Sequence, residues 1–560
     1  MLDAPVFVTP VQRGFVGDDP LGLAATNERL YNGALPGFNN YVRYIRVYSA
    51  LCWTAVQVEK ALEGGAAEKS RDARALFEGA FEKMELAIVW ANPKKPQLAG
   101  MRRKFPEDNK SVQLAFSTFG ASEATLFEAV TYRPSLTTGL GFLEKRKYSI
   151  YGCLQAGERL ASAYDSAVKH LSGYRWLKST DKTTSKRTQI DALHGALDVT
   201  SPSKEEQDAF LERFFPQRLD DGASSEDRRR WLTLQLALRA VNAVSVANKA
   251  LGYAAAADAD EVRTCMARGM AVDGASIVEP DLIPSQARWA VLQVRQLQRL
   301  CLEALYCAVE RWIHDKEVGG GSQAIDDCCA DVAAAGVACL PRVMRAKVAQ
   351  QLVALAGQQG NFESMYAAAA SAAMRLEQQT ENVADIFLLI DRLEDESRLD
   401  FGSKCHAVAD AYIGLLLCAI EVGNLARYPQ ALKILRSDSD FCSLMSLHDL
   451  VNRSQSMSVA DFLSRLVKDW VVLRHFTVAR DRSLRNDGKN RFRFVMGDYG
   501  LERFDKLASL PLPARSEDKL NHALMLCEQA GLLRDTASGY TLTRRGKARL
   551  TGALSGDAKG

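Results

Sequence analysis

The sequence predicts a mainly α-helical, multi-domain protein with a small irregular or α+β part near residues 93–165 and a C-terminal winged-helix module. Three observations support this fold class. Apolar residues recur at helical spacing through most of the 560 residues. The C-terminal end has the order helix, hairpin, basic helix. A hydrophobic content of 47% and a charged content of 25% are ordinary for a globular chain, which at this length forms several domains.

The predicted organisation has five consecutive parts. A polar stretch rich in serine, threonine and lysine predicts a linker, and the run Gly319-Gly320-Gly321 predicts a boundary after a long helix. The parts are an N-terminal helical module with a winged-helix-like end (residues 1–175), a linker (176–205), a helical domain with a long helix (206–318), an alanine-rich helical domain (322–455), and a basic segment followed by the winged helix (456–560).

Local signals mark several helix starts. Asp19 followed by Pro20 predicts a cap and a first helical position. Ser203 with Glu206 predicts a capping box. Apolar spacing then predicts a helix of roughly thirty residues from Pro284 to Ile313. Helix packed on helix is the architecture that this pattern favours.

A tyrosine-arginine run follows the first helix. If it is helical, Tyr41, Tyr44 and Tyr48 share one face, and Arg43 and Arg46 lie on another. Aromatic and arginine enrichment is typical of a protein interface or of base stacking. The simpler alternative is a core helix with half-buried tyrosines. The candidate partner-binding residues are Tyr41, Arg43, Tyr44 and Tyr48.

The C-terminal module is predicted from the residues that end its helices, form its turn and cap its last helix. Gly531 ends an apolar helix, Gly539 lies in a short polar turn between two strands, and Thr543 can cap a last helix. In winged-helix folds the second main helix enters the major groove and the wing lies on the backbone. The helix in that position runs from Lys519 to Ala530 and is not strongly basic, which fits a protein contact equally well. The candidate nucleic-acid contacts are Lys519, Arg544, Arg545 and Lys547.

The stretch from Pro93 to Gly152 predicts turns, short helices and one or two strands, and a second winged helix near residues 98–165 is the alternative. The text YGCLQAGERL of residues 151–160 is similar to the end of the C-terminal module, GYTLTRRGKARL. In both, a hydrophobic residue and a glycine three or four positions later lead into a helix, and the match requires a gap of one residue.

The segment from Arg465 to Arg493 is the strongest charge cluster, with nine basic and three acidic residues and a local net charge of +6. The alternation of arginine and phenylalanine at its end is that of a strand exposing its arginines. This surface is predicted to contact phosphates, and the alternative is a solvated helix end with a hairpin edge kept soluble by charge. The candidates are Arg474, Arg480, Arg482, Arg485, Lys489, Arg491 and Arg493.

Other function classes lack their sequence signals. Cys328-Cys329 with Cys339 does not have the pair spacing of zinc sites, and the glycines do not form a dinucleotide or phosphate loop. We therefore expect no metal, no cofactor, no small-molecule substrate and no catalytic residue. We expect that the N-terminus is not a signal peptide and that no stretch reaches the apolar length of a membrane span. The twelve cysteines are expected to be reduced thiols of a cytoplasmic protein.

Short motifs lie at both ends of the chain. They are Asp19-Pro20-Leu21-Gly22-Leu23, Arg29-Leu30, Leu35-Pro36-Gly37, Arg43-Tyr44, Arg474-His475 through Arg491-Phe492-Arg493-Phe494, and Leu542-Thr543. They resemble those of a group of uncharacterised bacterial proteins associated with anti-phage defence loci, and the chain departs from the group's pattern at Tyr44-Ile45-Arg46-Val47. The resemblance implies an accessory role in a defence system and supplies no catalytic residues.

Together these observations predict a non-enzymatic nucleic-acid-binding or sensor subunit of a bacterial defence complex, with DNA and other protein subunits as its partners. A net charge of only +3 requires any nucleic-acid contact to be local. Two alternatives stay open: a protein scaffold or adaptor without nucleic-acid contact, and an enzyme with an unrecognised active site. The choice between DNA and RNA is also open.

Overall fold

The computed structural model is mainly helical. It describes residues 19–65, 70–95, 98, 105–119, 126–127, 131–271, 273–320, 323–340, 347–348, 402, 405–485, 491–506, 510, 513 and 519–551. The candidate Lys489 and residues 349–401 of the predicted alanine-rich helical domain lie outside the described residues.

The helices are given in chain order. They are α1 (Ala24–Ala34), α2 (Ile45–Glu63), α3 (Ser70–Ala91), α4 (Phe116–Phe119), α5 (Tyr132–Pro134), α6 (Gln155–Val168), α7 (Tyr174–Lys178), α8 (Arg187–Ala192), α9 (His194–Leu197), α10 (Lys204–Phe214), α11 (Ser225–Ala250), α12 (Ala259–Arg268), α13 (Ile283–Gly319), α14 (Ile325–Cys339), α15 (His406–Leu425), α16 (Pro429–Arg436), α17 (Leu444–Arg453), α18 (Val459–Leu466), α19 (Leu473–Arg485), α20 (Lys519–Gln529) and α21 (Arg544–Thr551).

Short antiparallel strand pairs accompany the helices. Strand β1 (Val112–Gln113) pairs with β4 (Thr184–Ser185), and β2 (Leu143–Lys145) pairs with β3 (Tyr151–Cys153). Two further hairpins are β5 (Phe494–Gly497) with β6 (Gly500–Arg503), and β7 (Leu533–Thr536) with β8 (Gly539–Leu542). Two π-helical turns, at Ser135–Gly139 and Val467–Val472, precede β2 and α19.

The chain divides into two compact units, each built from two separate stretches. Unit 1 comprises Met1–Leu30 and Ala287–Ser516, and unit 2 comprises Tyr31–Gln286 and Glu517–Gly560. This division is discontinuous, unlike the five consecutive parts predicted from the sequence, because packing brings distant stretches together. The stretch predicted as a linker, residues 176–205, holds the end of α7 together with β4, α8 and α9.

Unit 1 is organised around the apolar faces of α13 and α15. Leu305, Trp312 and Leu416 are buried in one continuous core. The indole Nε1 of Trp312 donates to Asp331 Oδ2 at 2.9 Å, so the polar atom of this buried ring is satisfied. The long helix runs from Ile283 to Gly319, one residue before the predicted start and six beyond the predicted end, and it stops at the predicted glycine run.

Helix α15 requires a correction to the sequence analysis. By length and mean hydropathy, His406–Leu425 could cross a membrane, although no stretch was expected to reach that length. In the structure, 78% of its most apolar window is buried inside the protein. Its apolar residues therefore serve the core of unit 1, where a helix that is hydrophobic all round is expected.

Unit 2 is organised around α2, which packs against α3, α6 and α10. Tyr48 lies at the centre, with its ring 5.0 Å from that of Tyr132 and 5.2 Å from that of Phe210. Its hydroxyl lies 2.6 Å from Ser135 Oγ. Trp53 donates its indole N–H to Asp165 at 2.7 Å. The core of unit 2 therefore combines aromatic packing with satisfied polar tips.

Two predicted helix starts differ in outcome. The capping box is confirmed: Ser203 Oγ accepts from the Glu206 amide at 3.2 Å, and Glu206 accepts from the Ser203 amide at 2.8 Å. Asp19 also caps, but the helix begins later than predicted, at Ala24. Gly22 adopts a φ of +70°, and the Asp19 carboxylate accepts from the amides of Leu23 and Ala24 at 2.7 and 3.0 Å.

His475 fastens the hairpin β5–β6 to the start of unit 1. Its Nε2 accepts the Arg493 amide at 3.2 Å, so Nδ1 carries the proton and donates to the Pro20 carbonyl at 3.2 Å. The imidazole is fully buried. Burial, together with the nearby Arg493 and Arg482 guanidinium groups, lowers the pKa of His475 from 6.5 to about 4.

This pKa predicts a loss of stability in mild acid. The folded-state pKa lies below the unfolded one, so the unfolded chain binds the proton more readily, and stability falls as pH falls from 6.5 toward 4. Between about pH 7 and pH 5 we expect His475 to cost unit 1 about 2 kcal/mol. Urea unfolding at both pH values measures this cost. A His475→Gln variant should lose that part of the pH dependence, and an unchanged difference between the two pH values would contradict the assignment.

Candidate nucleic-acid interface

The C-terminal hairpin is positioned by glycine geometry and a threonine cap. Helix α20 ends at Gln529, and Gly531, two residues later, reverses the chain with a φ of +73°; the Leu532 amide donates to the Cys527 carbonyl at 2.9 Å. Thr543 Oγ1 accepts from the Gly546 amide at 3.1 Å and caps α21. The predicted helix, hairpin and capped last helix are therefore confirmed as elements, because each depends on residues close in sequence.

Helix α21 approaches the hairpin closely. A Cβ atom on Gly546 would lie 2.2 Å from the Leu532 carbonyl oxygen, so a larger residue at this position would push the helix away. The Thr543 amide donates to the same carbonyl at 3.1 Å. Residues 531–551 thus form a compact hairpin–helix unit, and we call it the second hairpin–helix unit.

Residues 141–168 repeat this arrangement, and we call them the first hairpin–helix unit. Gly141 has a φ of +66° before β2, and the Leu154 amide donates to the Phe142 carbonyl at 2.9 Å. A Cβ on Gly157 would lie 2.2 Å from that carbonyl. The sequence similarity between the two stretches therefore corresponds to the same backbone geometry, with the whole hairpin one residue longer in the first unit.

Helix α20 is embedded in unit 2. Lys519 is 4% exposed and His522 is 3% exposed. The Lys519 ammonium donates to Asn32 Oδ1 and lies 6.0 Å from the centre of the Phe38 ring. Gln529 Nε2 donates to the Arg43 carbonyl at 2.5 Å. The helix in the predicted groove-reading position is thus committed to internal contacts, and Lys519 does not belong to the exposed surface.

The exposed cations of the second hairpin–helix unit lie on β7 and at the start of α21. Arg534, Arg544 and Lys547 are exposed. Arg545 differs, because its guanidinium pairs with Asp208 and donates to the Ala530 carbonyl at 3.0 Å. Positive charges in the first turn of a helix oppose the helix dipole. The exposed cations at the start of α21 therefore do not stabilise this helix.

The tip of the first hairpin is also basic, and the sequence analysis did not assign it. Lys145, Arg146 and Lys147 are consecutive and exposed, and the two lysines have no ion pair among the residues that the structure describes. Arg146 folds back: it pairs with Glu144, and its Nη2 donates to the Cys153 carbonyl at 3.0 Å. The sequence did contain a signal for this site, namely three adjacent cations between stretches that form the two strands of the hairpin.

The basic segment Arg465–Arg493 is largely neutralised within unit 1. Arg474 Nη2 lies 2.9 Å from Asp440, and Arg482 Nη2 lies 2.6 Å from Asp19. Arg493 binds Glu310 through Nε and Nη2 at 2.7 and 2.9 Å. It precedes β5 and is not exposed on a strand as predicted. These three arginines hold unit 1 together, so they do not form the predicted phosphate surface.

The remaining basic residues of that segment differ in exposure. Arg480 is exposed and lies 3.0 Å from Asp481, and Arg485 is exposed. Arg491 is half-buried, with its Nε atom buried. Further pairs join Lys468 to Asp326 at 2.6 Å and Arg465 to Asp469 at 3.7 Å. Acids outside the segment therefore pair with Lys468, Arg474, Arg482 and Arg493, and these pairs offset most of the local charge of +6.

The tyrosine-arginine run belongs mostly to the core of unit 2. Helix α2 begins at Ile45, and Tyr44 lies before it with an extended backbone. Tyr44 is 4% exposed, whereas Tyr41 is 47% exposed. Tyr132 accepts the amides of Arg43 and Tyr44 through its hydroxyl at 3.0 and 2.9 Å. Because Tyr48 is also buried, the predicted partner-binding face does not form, and only the Tyr41 ring of this face reaches the surface.

Arg46 is buried as well, although the helical pattern placed it on a face away from the tyrosines. Its guanidinium binds Glu206 Oε2 at 2.8 Å and donates to the carbonyls of Gly195 and Ser201 at 2.7 and 2.6 Å. This network fixes α2 to the start of α10. Nothing in residues 40–48 indicates Glu206 as a partner, since it lies about 160 positions away along the chain.

Other kinds of site receive less support from the described residues. All twelve cysteines are free thiols, and burial raises the pKa of Cys405 to about 11. No group of three or more possible metal ligands occurs in the described part of the chain. A cavity of about 680 Å³ in unit 2 contains Arg239, which lies 2.6 Å from Glu279. That ion pair offsets the main charge in the cavity.

Comparison with known proteins adds no family. No protein-family model matches the chain, and neither the curated proteins nor the solved structures contain a significant match.

Proposed function

We propose that the protein binds duplex DNA through the exposed cations of the second hairpin–helix unit, without catalysing a reaction. The observation that carries the proposal is the grouping of Arg534, Arg544 and Lys547 on a hairpin and the helix that follows it. A hairpin flanked by helices is the order of a winged-helix module, whose wing lies on the DNA backbone. The acid Asp535 offsets part of this charge.

The proposed contacts are with phosphates and not with base edges. Most side chains of helix α20 are buried, and Lys519 and His522 among them are not available to the major groove. Arginine and lysine on phosphates position a protein on DNA without carrying sequence information. We therefore expect binding that depends strongly on salt and weakly on base sequence, because each neutralised phosphate releases counterions.

Removing the three exposed cations should weaken DNA binding. For the variant Arg534→Ala/Arg544→Ala/Lys547→Ala we expect affinity for a labelled duplex to fall at least about tenfold, similarly on unrelated sequences. The slope of log affinity against log salt should fall by about one per lost contact. The measurement is fluorescence anisotropy of the full chain with duplex DNA at about 50 and 200 mM salt.

A matched control removes the same charge elsewhere in unit 2. Arg74, Arg175 and Arg228 are exposed cations outside the two hairpin–helix units. The triple alanine variant at these positions should bind as the wild-type chain does. If both variants weaken DNA binding equally, the effect comes from net charge and the site assignment is wrong.

A protein scaffold is the second candidate function. It is favoured by exposed apolar side chains at the tip of the hairpin β5–β6, where Tyr499 is 81% and Met496 is 55% exposed. Exposed aromatic and methionine side chains are typical of protein interfaces. If the folded wild-type chain does not bind duplex DNA at low salt, this candidate replaces the first.

The resemblance to proteins of bacterial anti-phage defence loci supports a setting for either activity. We propose that the chain acts as a DNA-binding or sensor subunit of a defence complex in the bacterial cytoplasm, with other protein subunits as partners. Copurification of the natural complex from its host would test this setting separately from DNA binding.

A further inference from the structure

We infer that the tip of the first hairpin, residues 145–149, is a second contact for duplex DNA. This inference rests on the proposed function and extends it to a site that the sequence analysis left unassigned. Lys145 and Lys147 would bind backbone phosphates, and Tyr148 would enter the groove between them. The geometry of the hairpin base, the charge of its tip and the backbone of its turn each support this assignment.

The base of the hairpin is firmly held. Leu143 and Cys153 are buried and pair across the two strands. The Cys153 amide donates to Glu59 Oε2 of α2 at 3.4 Å, and burial raises the pKa of Glu59. A Cβ on Gly152 would lie 2.0 Å from the other Glu59 oxygen, so α2 and β3 are in close contact. A rigid base presents the tip in one position, which reduces the entropy lost on binding.

The tip itself points its charge into solvent. Lys145, Lys147, Tyr148 and Ser149 are all exposed, although the residues at both ends of the hairpin are buried. Arg146 turns back toward Glu144 and Glu59, with its Nε 3.7 Å from Glu59 Oε1. The neighbouring lysines therefore keep their charge for an external anion, and like charges this close repel one another unless such an anion is bound.

The backbone of the turn is strained, because residues with side chains occupy positions that usually favour glycine. Tyr148 and Ser149 are adjacent and have φ values of +64° and +59°. Successive residues in the left-handed region are usually asparagine and glycine in hairpins, because other side chains clash with the backbone there. Here the turn carries a tyrosine, which is 40% exposed, with the Lys147 ammonium 5.2 Å from its ring centre. Backbone strain of this kind is typical of ligand-contacting sites.

Duplex DNA is the partner that these features favour. Its grooves carry a strongly negative potential that attracts lysine and arginine, and proteins that enter the minor groove often insert an apolar or aromatic side chain. The equivalent hairpin of the second hairpin–helix unit carries Arg534, lies in unit 2 as well, and has the same backbone geometry at its base.

The test compares two variants of the full chain with the wild type on duplex DNA and duplex RNA. For Lys145→Ala/Lys147→Ala we expect affinity for duplex DNA to fall about tenfold and the salt slope to fall by about two. The control Arg74→Ala/Arg228→Ala removes the same charge and should bind as the wild type does. If the two double variants bind equally well, the inference is wrong.

Tyr148→Gly separates a binding role from a structural one. Glycine accepts a positive φ, so the turn should be as stable as before or more stable, while DNA affinity should fall several-fold. Unchanged affinity would remove Tyr148 from the contact. If the wild-type chain does not bind at low salt, the proposed function itself fails. If it binds and only the second hairpin–helix unit proves sensitive, the proposed function stands and this inference is overturned. Tighter binding of duplex RNA would overturn the choice of ligand.

Discussion

Replacing Glu310 with glutamine is expected to lower the free energy of unfolding of unit 1 by about 3–5 kcal/mol. Glu310 is 1% exposed and lies on α13. It accepts hydrogen bonds from Arg493 at both carboxylate oxygens, and Arg503 Nε lies 3.5 Å from Oε1, the oxygen that also accepts from Arg493 Nη2. Glutamine would remove the negative charge that Arg493 and Arg503 share, and breaking a buried ion pair by removing one partner is strongly destabilising.

The measurement is urea denaturation of the full chain, with hydrogen exchange used to locate the loss in the hairpin β5–β6. Asp469→Asn is the matched control, because the Arg465–Asp469 pair is largely exposed, with Nε and Oδ2 3.7 Å apart. Its loss should cost no more than about 0.5 kcal/mol. Similar costs for the two variants would show that Glu310 is not the anchor of this hairpin.

Replacing Arg46 with methionine is expected to destabilise unit 2 by a similar amount, about 3–5 kcal/mol. Methionine fills much of the same volume but leaves the fully buried Glu206 carboxylate without its cation. It also removes the donors to the carbonyls of Gly195 and Ser201. Unsatisfied buried acceptors add to the cost.

Arg46→Lys tests whether geometry or charge matters more. Lysine keeps the positive charge but cannot reach several acceptors in one plane. We therefore expect the free energy of unfolding of Arg46→Lys to lie between those of the wild type and Arg46→Met. Arg74→Ala serves as the control, since the Arg74–Glu78 pair is exposed on both sides. Urea unfolding of the three variants gives the order, and a methionine variant as stable as the Arg74 control would refute the role of this network.

The buried ion pairs also explain why charge density along the sequence was a poor guide to the interface. The segment Arg465–Arg493 has the largest local charge, but Arg493 is paired with an acid 183 positions away and Arg482 with one 463 positions away. The tip of the first hairpin has fewer cations, yet all three are exposed, and only Arg146 among them has an ion pair in the described part of the chain. Exposure, which depends on packing, decides whether a cation can reach a phosphate.

The sequence alone determined the features that depend on neighbouring residues. It indicated the helical fold class, the capping box at Ser203 and Glu206, the chain reversal at Gly531 and the cap at Thr543, because each is a local hydrogen bond or backbone angle. It also indicated the similarity of the two hairpin–helix units, since both need a glycine where a helix meets a carbonyl.

Only the tertiary structure decided which side chains face solvent. Tyr48 became a core residue because Ser135 and Tyr132, almost ninety positions away, complete its surroundings. Helix α20 was predicted to lie in the position that reads the DNA groove, but Lys519 and Gln529 on this helix donate hydrogen bonds to Asn32 and Arg43 instead. Burial is a property of contacts between distant segments, and no local pattern encodes the identity of the partner.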